Sequence, residues 1–103
     1  MATKEEAINS YRNAISRYNA MKANLSSVVS ELSLSKGSLE DFSSTLNEVY
    51  SIDGNDSLLC TNIKNVREDI TTTANFIKNT VIPAIDRAII KCHNKIAEIG
   101  ADS

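Results

Sequence analysis

Tryptophan is absent from this chain, aromatics make up only 5% of it, and it holds one proline, three glycines and one histidine. A core here must be built from Leu, Ile, Val and Ala, which suits helix packing. No apolar run approaches the roughly 18 residues of a transmembrane helix. The opening Met1-Ala2-Thr3-Lys4-Glu5-Glu6 lacks the apolar stretch of a secretory leader. The expectation is cytoplasmic synthesis with no direct membrane insertion, and any export by a route that needs no cleaved signal peptide. A net charge of -2 leaves no electrostatic case for nucleic acid. The two cysteines, Cys60 and Cys92, sit 32 residues apart. On one helix that is about 48 Å, too far for a disulfide, and both read as small buried hydrophobes.

What the chain does have is a heptad column. Tyr11, Tyr18, Leu25, Leu32, Leu39 and Leu46 recur every seventh residue. That pattern predicts one long helix whose apolar seam faces other helices. With this column at heptad position d, position a holds Ile8, Ile15, Lys22, Val29, Lys36 and Ser43. Position g holds Ala7, Ala14, Met21, Val28, Ser35, Phe42 and Val49. The stripe is thus three positions wide, more than a two-stranded coiled coil requires. Two readings of Lys22 and Lys36 stay open. They are polar seam residues that penalise wrong registers, or side chains that snorkel from the edge of the stripe.

Thr3-Lys4-Glu5-Glu6 reads as a capping box that starts the first helix, which is expected over 4–51. Gly37 lies inside it, but Leu32, Leu39 and Leu46 keep their phase across the glycine, so the helix is expected to continue. The only strong punctuation is Ser51-Ile52-Asp53-Gly54-Asn55-Asp56-Ser57. The turn is placed at 52–56, with Gly54 suited to a left-handed C′ position. A second helix over 57–99 follows, and the two lie antiparallel.

The second helix carries Leu59, Ile63, Val66, Ile70, Ile77, Val81, Ile85, Ala88, Cys92, Ile96 and Ile99. Two consecutive steps of four run from Ile77 through Val81 to Ile85, and Pro83 falls within that stutter. A kink or brief break near 80–83 is expected, with Thr80 available to recap the chain. Beyond it, Val81, Ile82, Ile85, Ala88, Ile89, Cys92, Ile96 and Ile99 occupy a sector about 120° wide, with Ile90 outside it. One partner helix cannot cover such a sector. The fold class expected is all-α: an antiparallel helical hairpin of two long helices in a single domain, pairing into a four-helix bundle through a second chain.

Candidate chemistry is thin. Cys92 and His93 point about 100° apart on a helix, and Asp86 with His93 supplies only two ligands on one face. Asp53-Gly54-Asn55-Asp56 starts like a calcium loop but lacks the later ligands and the closing bidentate Glu, so it reads as turn chemistry. No catalytic, metal or cofactor site is assigned, and the reading is not an enzyme. The candidate site is a partner-binding seam. It comprises Tyr11, Ile15, Tyr18, Leu25, Val29, Leu32, Leu39, Phe42 and Leu46 on the first helix, with Val81, Ile85, Ile89 and Ile96 on the second. Ile52 and Gly54 form the turn and Pro83 the kink.

Short length, two amphipathic helices and a central glycine turn together resemble the WXG-type small helical proteins of type VII (ESX or Ess) secretion in Gram-positive bacteria. The family's Trp-x-Gly turn corresponds to Ile52-Asp53-Gly54, which keeps the glycine and loses the tryptophan. The family's Tyr-x-x-x-Asp/Glu export signal has no match, because no tyrosine follows Tyr50. Those departures fit accessory members that bind the helical N-terminal region of a toxin. The resemblance implies a homo- or heterodimeric bundle, a helical protein partner such as an LXG-like toxin N-terminal domain, and a role in the partner's export. The alternative is a homodimeric coiled-coil adaptor or regulatory module of the cytosol, with no part in secretion.

Overall fold

The computed structural model describes residues 3–50 and 57–101, without the side chains at 46, 47, 49, 50, 57, 58 and 60. The expected turn with Ile52 and Gly54, the Leu46 side chain and the Cys60 side chain lie outside the described residues.

Helix α1 runs unbroken over Lys4–Tyr50. Its start is capped as Thr3 predicts: the Glu6 N–H donates to Thr3 Oγ1 at 3.1 Å, and the Ala7 N–H donates to the Thr3 carbonyl at 3.0 Å. The first bond satisfies one of the donors orphaned at a helix N-terminus, and the second is the first intrahelical bond, accepted by the N-cap carbonyl. The helix passes through Gly37 without interruption. Nearly a third of the chain is Ser, Thr or Asn, residues that compete with helical backbone bonding. Several hydroxyls bond within the helix instead. Ser30 donates to the Ser26 carbonyl, Thr45 to that of Asp41 and Thr71 to that of Arg67, at 3.0–3.2 Å.

The second arm is helical from 57 to 101, in three stretches: α2 (Ser57–Phe76), a π turn (Ile77–Val81) and α3 (Ile82–Ala101). The chain neither breaks nor recaps at Thr80. It widens for one turn, closed by a bond from the Ile82 N–H to the Ile77 carbonyl. The reason lies in the stutter. On an α-helix each step of four turns the side chain by about 40° away from the face, so two such steps would carry Ile85 off it. The wider turn takes up the extra residue, and Ile77, Val81 and Ile85 all keep to the inner face, Ile77 buried and the other two half-buried. The same widening precedes Pro83, whose ring would otherwise crowd the carbonyl of Asn79.

α1 packs lengthwise on both α2 and α3. The resulting hairpin measures 78 × 18 × 15 Å, with a radius of gyration of 22.6 Å. A compact chain of this length would have a radius near 13 Å. The solvent-accessible surface is 7428 Å², against about 5,700 Å² for a compact monomer of this mass. Among the described residues, only Ile63, Ile77 and Cys92 are buried, and no side chain falls below 2% exposure. Two helices laid side by side have an interface but no interior.

Candidate protein-interaction surface

The heptad columns sort by burial. Columns a and d of α1 turn toward the second arm: Ile8, Tyr11, Ile15, Tyr18, Lys22, Leu25, Val29, Leu32, Lys36, Leu39 and Ser43 are all half-buried. The sector expected on α3 faces them, with Val81, Ile82, Ile85, Ala88, Ile89, Ile96 and Ile99 half-buried and Cys92 buried. Ile90, outside that sector, is 56% exposed. The structure therefore brings Tyr11, Ile15, Tyr18, Leu25, Val29, Leu32 and Leu39 to the same interface as Val81, Ile85, Ile89 and Ile96. Phe42 stands apart, at 50% exposure.

Column g takes a different course. Met21, Val28 and Phe42 are 46%, 38% and 50% exposed. On α2, Leu59 and Val66 are exposed beside the inner column of Ile63, Ile70 and Ile77. Their placement follows from one cross-hairpin pair, Arg67 Nη2 to Glu40 Oε1 at 3.3 Å. At 100° per residue, Glu40 and Phe42 lie on opposite sides of the stripe of α1, and Arg67 and Val66 on opposite sides of the Ile63–Ile70 column. Joining Glu40 to Arg67 on one side puts Phe42 and Val66 together on the other. A second pair, Lys22 with Asp86, sets the same register, with Phe42 about level with Val66. Met21 and Val28 continue this flank up the hairpin, next to a depression lined by Ala14, Tyr18 and Met21 together with Ser10, Asn13 and Arg17. Met21, Val28, Phe42 and Val66 line one side of the rod and are the exposed apolar groups nearest the seam.

The flank had a sequence signal that the width of the stripe alone could not interpret. Column g is apolar at Met21, Val28 and Phe42, yet only the packed hairpin shows that one antiparallel partner covers a and d and leaves these three exposed, while Ala7 and Ala14 of the same column are half-buried.

Lys22 reaches Asp86 across the hairpin, both side chains being partly exposed at 35% and 48%. His93 is exposed, and among the described residues no three His, Cys, Asp or Glu side chains gather. Cys92 is a free, buried thiol that packs as a small hydrophobe. No described helix is long and apolar enough to cross a membrane. Comparison with protein-family models, with curated proteins and with solved structures gives no match.

Proposed function

We propose that this chain is a partner-binding helical hairpin. In this reading a second helical protein, or a second copy, lies along the apolar flank and completes a four-helix bundle. The observation that carries it is a 78 Å rod with no fully buried side chain among the described residues and with Met21, Val28, Phe42 and Val66 exposed along one flank, interrupted by Ser35. The excess surface relative to a compact monomer is of the order that an obligate interface covers, roughly 1,000–2,500 Å² per partner.

The likeness to WXG-type proteins narrows the role to a type VII secretion factor that accompanies a helical cargo, such as a toxin's N-terminal region, to export. The hairpin architecture and the length support that narrowing. The test is co-expression with any long-helix protein encoded beside this chain, followed by purification of the complex and a melt. The expected outcome is a stoichiometric complex melting well above the isolated hairpin, with export that depends on the secretion ATPase. A tight homodimer that ignores its encoded neighbour sinks the secretion role and leaves the adaptor reading.

A further inference from the structure

We infer that the side of the hairpin opposite the apolar flank is a groove for an acidic amphipathic helix, supplied by the protein partner. This rests on the partner-binding reading above and adds a second, charged contact to it. Two depressions meet between α1 and α2. One is lined by Lys36, Lys64, Arg67, Glu68, Thr71 and Thr72. The other shares Lys36 and Thr71, and adds Val29, Ile70 and Ala74, the polar Ser33 and Asn75, and Lys78 at its far end. From Lys64 to Lys78 the groove runs for about 21 Å, four turns of a docked helix.

Its chemistry suits such a helix at each level. Val29, Ile70 and Ala74 are half-buried apolar groups for the docked helix to cover. Lys36, Lys64 and Lys78 make no ion pair among the described residues. Among the described residues, Glu68 is the one carboxylate in the two linings, and Glu40 pairs with Arg67. Positive charge is thus gathered here on a chain whose net charge is -2. Arg67 adds a directional feature. Its Nη2 makes one 3.3 Å contact with Glu40, while its Nε is buried without a hydrogen-bond partner. Nε and Nη2 share the edge of the guanidinium that grips a carboxylate with two parallel bonds. An orphaned buried donor costs stability, and a small swing of the side chain onto an incoming carboxylate would satisfy it. A duplex nucleic acid, with a charge every 1.7 Å or so, is a poor fit to a few spaced cations around an apolar floor on an acidic chain.

The probes are two synthetic helices of about 18 residues with the same Leu/Ala stripe, one flanked by Glu and the other by Gln. Binding to the full chain is read by fluorescence anisotropy. The Glu helix is expected to bind about tenfold tighter at about 50 mM salt and to lose most of that advantage at about 300 mM. Lys36→Gln with Lys64→Gln and Lys78→Gln should remove the preference at unchanged helix content. Should that triple variant unfold, Lys64→Gln with Lys78→Gln, both exposed, should still weaken the preference severalfold. Arg67→Lys keeps the charge but loses the fork, and should weaken the Glu helix about fivefold. Equal binding of the two helices, a preference that survives in the variants, or tighter binding of duplex DNA overturns the groove. A chain that binds both helices equally loses the groove and keeps the partner-binding reading; one that binds neither and remains a monomer loses both.

Discussion

Lys22, at a seam position of α1, forms an ion pair with Asp86 of α3 across the hairpin. Both side chains are partly in water, so the pair contributes less than about 1 kcal/mol. Its value lies in alignment, since it agrees in register with the Glu40–Arg67 pair further along. Lys22→Leu should leave stability in urea equal or slightly higher, because an apolar residue suits an a position better. It should also admit additional oligomers in sedimentation velocity. A strictly unchanged oligomer distribution would assign Lys22 to snorkelling alone.

Gly37→Ala tests whether α1 is a working helix or a hinge. The glycine is helical and an added Cβ meets nothing within 4 Å. Alanine there should stabilise the hairpin by about 0.5–1 kcal/mol. By circular dichroism that raises the melting temperature by roughly 2–8 °C. A lower melting temperature would mean that the helix needs to bend at this point.

Among the described residues, Ile63 and Ile77 are the most enclosed large side chains, at 6% and 9% exposure, whereas Leu34 is 73% exposed. Ile63→Ala and Ile77→Ala should each cost about 2–4 kcal/mol in urea denaturation. Leu34→Ala should stay within about 0.5 kcal/mol. Comparable losses at all three positions would place Leu34 in an interface of the free protein.

Phe42→Ser and Val66→Ser address the apolar flank. Both residues are about half exposed, so helix content and melting of the isolated hairpin should barely change. Affinity for the helical partner, measured by calorimetry, should fall by about tenfold or more for the double variant. Retained affinity moves the contact surface elsewhere.

The wide turn at Ile77–Val81 exists because the inner face must stay in phase across two steps of four. Pro83→Ala leaves those steps in place, so helix content should be kept and stability should change by less than about 1 kcal/mol. Hydrogen exchange should show the fastest helical amides around this turn and the neighbouring Thr71-Thr72-Thr73, where propensity is poorest. Uniform protection along the second arm would contradict that.

Much of the fold was legible in the residues because it depends on periodicity. Leu32 and Leu39 in phase across Gly37 foretold an unbroken α1, and the apolar sector on the second helix was read with Ile90 correctly outside it. The irregularity near Pro83 was legible in place but not in kind. Spacing cannot tell a break from a widened turn, because both absorb one extra residue. The surface was harder to read. Column g looked like part of the same stripe as a and d, since apolar character records what can be buried and not what is.

The amino-acid sequence by itself determined two long amphipathic helices, the cap at Thr3, and a stripe too broad for a single partner. Those properties follow from local hydrogen bonding and a repeat close to the helical period. Only the tertiary structure decided which part of the stripe is spent inside the hairpin. One antiparallel helix shields little more than two heptad columns, so a and d pack inward while Met21, Val28 and Phe42 remain on the surface. It also decided the fate of the seam lysines. The register brings Asp86 opposite Lys22, and leaves Lys36 half-buried beside Lys64 and Lys78 with no carboxylate of its own.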